Sequence, residues 1–279
     1  MVTLTRAHAS DQLRDAGLSP RRALGQNFVV DANTVRRIAK LSSVGPGDNV
    51  IEIGAGLGSL TLALAETGAN ITAVEVDEAL VPLLTHNVAA YDNVRVVHAD
   101  AMKLDWPSLL GDHTDWHLVA NLPYNVATPL VADVLDMVPA VKHVFVMVQK
   151  EVGDRLVARP DTDAYGALSV KVAFWASGSI AGIVPPTVFL PRPKVDSALV
   201  DIVRRDEPLD HDVNAASLFA LVRQGFAKRR KMLRGALAGV VNPQQFEAAG
   251  IEPTARAENL SVHDWIRLCK VVNNEGERS

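Results

Sequence analysis

The sequence predicts an α/β fold, a parallel sheet with helices on both faces, followed by a small helical domain. From about Asn49 to Gln149 short β-rich runs alternate with helical stretches, the pattern of successive βαβ units. Beyond residue 212 the runs ASLFALVRQGF, RRKMLRGALAGV, PQQFEAAG and SVHDWIRLCKVV carry helical periodicity instead. The chain has 279 residues, 48% hydrophobic and 22% charged, enough for a sizeable core. It contains no apolar run approaching the ~18 residues a spanning helix needs.

In chain order, NVIEI, ITAVEV, VRVVHA, HLVAN and HVFVMVQ read as strands, and LTLALAE, EALVPLLTHNV and PLVADVLDMV as the helices between them. Ahead of the sheet, Ala32 to Leu41 reads as a helix with Asp31 as its N-cap. Behind it, Tyr165 to Trp175 reads as a helix, and SIAGIV and SALVDIV as two further strands flanking the Pro-rich FLPRPK. The acidic stretch Asp206 to Asp212 reads as a linker. The expected division is therefore residues 1–205 and 206–279.

The first residues, MVTLTRAHASDQLRD, lack an apolar secretion core, and Asp11 and Asp15 spoil an acid-free transit peptide. The expected compartment is the cytosol. Cys269 is the only cysteine, so no disulfide or cysteine metal cluster can form within the chain, and no metal is expected.

Net charge is −4, but its distribution is uneven. Residues 41–140 hold thirteen Asp and Glu against Arg95 and Lys103 alone. Arg223, Lys228, Arg229, Arg230, Lys231 and Arg234 fall together with no acid between them, and the first forty residues are also rich in Arg. Basic ends on an acidic body can hold a polyanion while a cationic cofactor occupies the body. Ordinary solvated helix faces account for the same charges equally well.

The turn after the first core strand reads Glu52, Ile53, Gly54, Ala55, Gly56, Leu57, Gly58. Glycines there let the chain turn tightly and a ligand approach the backbone. A dinucleotide fingerprint wants its third glycine one place later, at Ser59, so the spacing fits a methyltransferase loop better. Glu75 ends the second strand, where its carboxylate can accept from both ribose hydroxyls of a nucleoside cofactor. Asp100 follows the next strand and offers an acceptor to an adenine amino group.

After the following strand come Asn121, Leu122, Pro123 and Tyr124. An Asn oxygen and a backbone carbonyl fixed by proline can both accept from an adenine amine. Those bonds oppose delocalisation of the nitrogen lone pair into the ring and hold it in line with a methyl sulfonium. Tyr124 can stack on an extruded base, although a strand-ending turn with a buried tyrosine has the same sequence. Phe189 can form the second face of that stack or lie in the core. Arg192 and Lys194 stand beside it, where they can meet phosphate.

Together these segments resemble the ribosomal RNA adenine dimethyltransferases that modify two adjacent adenines near the 3′ end of small-subunit ribosomal RNA. The resemblance runs from about Leu24 to Leu237 and includes LGQNFVVD, IEIGAGLG, VEVD, DAMKLD, NLPYNVATPL, VMVQKEV, FLPRPKVDSALV and FAKRRKMLR. It implies a Rossmann-like S-adenosylmethionine-dependent methyltransferase sheet with a small C-terminal helical domain. It also implies cofactor contacts at Asn27, Val29, Gly54, Gly56, Glu75, Asp100 and Asn121, and RNA contacts at Arg229, Arg230, Lys231 and Arg234. The implied partner is small-subunit RNA or an assembled small-subunit particle, met by a monomer. Val29 stands where the family often has Leu, and Lys228 where it commonly has Gln. The related family that methylates large-subunit RNA and confers macrolide resistance shares the cofactor loop and catalytic motif. It lacks the triplet Gln149, Lys150, Glu151 and tends to be strongly basic, which favours the small-subunit reading.

Overall fold

The computed structural model describes residues 4–123 and 126–276. The elements run in the order α1 (Arg6–Asp15), β1 (Phe28–Val29), α2 (Ala32–Leu41), β2 (Asn49–Ile53), α3 (Ser59–Ala65), β3 (Asn70–Glu75) and α4 (Val81–Val88). Next come β4 (Val94–His98), α5 (Trp106–Leu110), β5 (Trp116–Asn121), α6 (Ala127–Met137), β6 (Val141–Gln149) and α7 (Lys150–Val157). The chain ends with α8 (Ala167–Trp175), β7 (Ala176–Val184), β8 (Phe189–Leu190), β9 (Ser197–Arg204), α9 (Ala215–Ala227), α10 (Leu233–Ala236), α11 (Pro243–Ala248) and α12 (Val262–Gly276).

Seven strands form the main sheet in the order β4-β3-β2-β5-β6-β9-β7. β2 to β6 are mutually parallel, while β9 returns antiparallel to β6 and pairs Met147 with Leu199. The order reverses at β2, which lies between β3 and β5. Open α/β sheets bind ligands at such a switch point, beyond the carboxyl ends of the strands. The central strands are buried on both faces: Val50, Ile51, Leu118, Val119, Ala120 and Val146 are all fully buried, as expected of parallel strands between helical layers.

Asp31 caps α2 as its sequence suggests, accepting from the Thr34 amide at 2.7 Å. The α2 residues Val35, Ile38 and Ala39 pack with Leu60, Leu64 and Phe145. Helix α1 and the short β1–β8 ribbon were not evident from sequence. Leu4, Ala9 and Leu13 bring the N-terminal segment into the core beside Leu57 and Leu84, and Arg6 ties it down through the carbonyls of Thr187 and Phe189.

The chain forms two compact units, residues 1–153 with 179–204, and residues 154–178 with 205–279. This differs from the expected single cut after residue 205. Residues 154–178 belong with the helical unit because Tyr165, Val170 and Phe174 share one apolar cluster with Phe219, Trp265 and Leu268. Tyr165 is further fixed by its hydroxyl, which donates to the Leu260 carbonyl at 2.8 Å. Helix α9 meets α12 closely at Gly225, where any Cβ would run into the Trp265 ring.

RRKMLRGALAGV does not form the expected long helix. Helix α9 ends at Ala227 with Lys228 as its cap, the next residues make a turn closed by Lys231 N–H on the Lys228 carbonyl at 2.8 Å, and only Leu233–Ala236 is helical. The turn is held from outside: Arg229 Nε donates to Glu258 at 2.7 Å and its Nη2 to the Asp163 carbonyl at 2.8 Å. Tertiary bonds and the repulsion of adjacent cations outweigh helix propensity here.

Candidate functional site

A cleft opens at the carboxyl ends of β2, β3 and β5, lined by the glycine loop, by Asn27, Phe28 and Val29, by Glu75 and Val76, and by Asn121, Leu122 and Pro123. Its space is about 690 Å³, counted out to open solvent. A second recess of about 400 Å³ adjoins it and shares Leu24, Gly54, Val76 and Pro123. The rest of that recess includes Ile53, Val74, Ala99, Asp100, Ala101 and Val126, an apolar slot with one carboxylate at its edge.

Two glycines make the cleft possible. Gly54 and Gly56 have φ of 76° and 59°, the left-handed region that L side chains rarely adopt. A Cβ on Gly56 would lie 3.0 Å from the Phe28 ring, and one on Gly54 3.4 Å from Pro123 Cδ. Side chains at these positions would occupy the space a ligand needs.

Glu75 fastens this loop to β3. Its Oε2 accepts from Gly56 N–H at 2.7 Å, and its Oε1 accepts from Val76 and Asp77 N–H at 3.0 and 2.9 Å. The residue is 4% exposed, and burial raises its carboxyl above the ordinary range although the three N–H donors pull it down. A carboxylate has about four lone-pair sites, so the three backbone bonds leave acceptor capacity chiefly on Oε2. The acceptor capacity that remains for a ligand hydroxyl therefore lies beside the Gly56 amide. Asp77, 3% exposed, continues the network and accepts from Arg21 at 3.0 Å and Gln26 at 2.7 Å. Arg21 is therefore a fixture of this wall.

Asp100 follows β4 and caps a single 3-10 turn, accepting from Met102 N–H at 3.0 Å. Its other oxygen stands 3.7 Å from exposed Lys103. Asn27 folds its side chain onto the Gly25 carbonyl, leaving its own carbonyl to accept from Asn121 Nδ2 at 3.1 Å. Leu122 is buried and its amide donates to the Met147 carbonyl at 3.0 Å, which anchors the Asn121–Pro123 turn on β6. Tyr124 lies outside the described residues.

Phe189 is not a stacking face in this structure. It is 1% exposed, pairs with Val29 across the β1–β8 ribbon, and packs among Val35, Ile38 and Leu199. An aromatic before prolines is here part of the core. Its neighbours Arg192 and Lys194 are exposed. In the helical unit Arg230, Lys231 and Arg234 are exposed, whereas Arg229 is engaged by Glu258 and Asp163. Of the four cations expected to contact RNA, Arg229 is thus already engaged within the chain.

Sequence reasoning missed Glu52, Leu24, Phe28 and Val76. Glu52 carried a signal, being the one charged residue in an otherwise apolar central strand. Val76, 43% exposed beside buried Glu75, is an apolar side chain held out into both recesses. Among the described residues no group of three or more His, Cys, Asp or Glu is placed to hold a metal ion, and no helix is long and apolar enough to cross a membrane.

Residues 17–274 match the family model for ribosomal RNA adenine dimethylase. The chain is 46% identical over 277 residues to ribosomal RNA small subunit methyltransferase A of Cutibacterium acnes, covering 94% of this chain and 92% of that protein. It is 46% identical over 264 residues to the protein of that name from Streptomyces coelicolor, covering 91% of each. In fold it is similar to a dimethyladenosine transferase from Plasmodium falciparum, with TM-score 0.76, 22% identity, and coverage of 88% of this chain and 97% of that one. The 23S rRNA methyltransferase ErmE superposes with TM-score 0.68 at 24% identity, covering 88% and 99%. The fold is thus shared with both of these enzymes.

Proposed function

Because this chain belongs to the ribosomal RNA adenine dimethylase family, and so dimethylates adenine in ribosomal RNA, we propose that its substrate is two adjacent adenines near the 3′ end of the small-subunit RNA and its methyl donor S-adenosylmethionine. Relatives covering more than nine-tenths of the chain carry the small-subunit name, and they support the choice of RNA. The observation that carries the chemistry is the fixed amide of Asn121 beside the glycine loop.

The residues fit the cofactor. Gly54 and Gly56 keep clear a space their Cβ atoms would fill, Glu75 offers an acceptor site for a hydroxyl, and the Val76 recess suits a planar ring with Asp100 at its rim. When bound, S-adenosylmethionine supplies an electrophilic methyl group on a sulfonium.

The chain supplies position and hydrogen bonds. Asn121 Nδ2 donates to the Asn27 carbonyl, so Oδ1 of the same amide is the acceptor left for an incoming adenine N6–H. The Leu122 carbonyl, followed by Pro123, is a second acceptor on the same turn. Two acceptors on one amine localise the nitrogen lone pair and aim it, which is catalysis by orientation and electrostatics. The amine proton is lost to solvent after transfer, so no strong base is needed.

For RNA, we propose that exposed Arg230, Lys231, Arg234, Arg192 and Lys194 meet phosphates. Such contacts position the substrate without reading its bases. The decisive experiment transfers labelled methyl from S-adenosylmethionine to small-subunit particles lacking the modification, followed by nucleoside analysis. N6,N6-dimethyladenosine at adjacent positions is the expected product. Absence of label from the small-subunit particles, with label entering large-subunit RNA assayed in parallel, would overturn the choice of substrate.

A further inference from the structure

Glu52 is the buried acid for which the preceding chemistry has no use. It stands in β2 two residues before Gly54, is 2% exposed, and lines the glycine-loop cleft. Its Oε2 has no hydrogen-bond partner, and the Thr61 hydroxyl beside it makes no bond of normal geometry either. A buried ionised carboxylate with an unpartnered oxygen is disfavoured, and such a group tends to take up a proton instead.

The charges around it act in the same direction. The charged group facing Glu52 is Glu75, a like charge one strand away. Glu75 is engaged by three backbone N–H groups, and Asp77 behind it by Arg21 and Gln26. Among the described residues no cation contributes to the surroundings of Glu52. The one cation this wall can acquire is a ligand entering the cleft.

We infer that Glu52 is a neutral acid while the cleft is empty and releases its proton to solvent when a positively charged cofactor binds, so that cofactor uptake and proton release are coupled. This rests on the reading of S-adenosylmethionine as the cofactor. Burial pushes the Glu52 carboxyl up to about 8, against the opposing pull of the Thr61 hydroxyl and with a smaller push from the Glu75 charge. At pH 7 the empty protein then chiefly carries this proton. The bound cation lowers the carboxyl by pairing with the anion in a site of low polarity. Because the bound form holds fewer protons, affinity must rise with pH below the empty-site value.

The test is titration calorimetry of the full chain with S-adenosylmethionine at pH 7 in buffers of different ionisation enthalpy. The expected result is release of up to about one proton per cofactor, with affinity rising by at most about tenfold per pH unit between about pH 6 and 7. In Glu52→Gln both effects collapse while cofactor still binds. Infrared difference spectra of the wild-type chain with labelled glutamate provide a second readout, in which a protonated carboxyl band disappears on cofactor addition. Binding enthalpies independent of buffer, or proton release undiminished in Glu52→Gln, would overturn the inference and leave the cofactor reading intact. Absence of binding at every pH would overturn both.

Discussion

Asn121 and Asn27 lie 94 residues apart in sequence and meet through one hydrogen bond, from the Asn121 amide nitrogen to the Asn27 carbonyl at 3.1 Å. The bond sets the orientation of the Asn121 amide before any ligand arrives. It also couples the segment ahead of β1 to the end of β5 through the backbone of Asn27.

Removing the Asn121 side chain should therefore damage the chemical step most. Asn121→Ala is expected to lower the single-turnover rate by on the order of a hundredfold or more, with RNA affinity nearly unchanged, since its work is on the reacting base. Asn121→Asp should be no better, because a carboxylate would face the Asn27 carbonyl. Single-turnover rates beside RNA binding curves decide the matter. A parallel fall in both would mark Asn121 as an RNA anchor.

Glu75→Ala should weaken S-adenosylmethionine binding by about 1–3 kcal/mol and also lower the melting temperature of the empty protein. The second effect follows from the three backbone N–H groups that lose their acceptor. Calorimetry of the folded variant and a thermal melt measure the two separately. Unchanged affinity would remove Glu75 from the site.

Stability should respond to Glu52 in the opposite sense from an ordinary surface acid. Its carboxyl is raised from 4.5 to about 8 on folding, so its contribution is fully present below 4.5 and is lost as pH rises through 8. Across that window Glu52→Gln should become progressively more stable relative to the wild type, with no such trend below pH 4.5. Melting curves from pH 4 to 9 without cofactor test this, and a difference independent of pH would contradict it.

Alanine at Arg230, Lys231 and Arg234 together should weaken particle binding and reduce its salt slope by roughly 0.7–0.9 for each phosphate left unneutralised. Cofactor affinity should not change. Arg229→Ala should act differently, lowering the stability of the helical unit because Glu258 loses its partner. Salt-dependent binding to one particle preparation separates these outcomes. An unaltered slope in the triple variant would make the segment a solvated turn and move attention to Arg192 and Lys194.

The parallel strands and the glycine loop were legible in the sequence because local pattern and tertiary role coincide there. Asp31 caps its helix and Glu75 ends its strand as their positions suggest. Other features depend on partners distant along the chain. Arg229 reads as one more cation until Glu258 and the Asp163 carbonyl, 29 and 66 residues away, are seen to hold it. Phe189 beside prolines suits a stacking loop equally well, and only its pairing with Val29 decides for the core. The assignment of residues 154–178 failed for the same reason, since Tyr165 and Phe174 find their apolar neighbours beyond residue 213.

That interleaving has a consequence for the order in which the chain can fold during synthesis. When residues 154–178 leave the ribosome, most of β7 and all of β9 are still to come, and so are α9 and α12 of the second unit. The sheet can close once Arg204 has emerged, but Tyr165, Val170 and Phe174 must wait for Trp265 and Leu268 near the end of the chain. During that interval they are an exposed apolar segment on a growing polypeptide, the kind of surface that draws chaperones. A polypeptide halted after residue 205 would keep that segment permanently unpaired, so aggregation is its expected fate, and a soluble catalytic fragment requires excision of 154–178 with a short turn joining what remains.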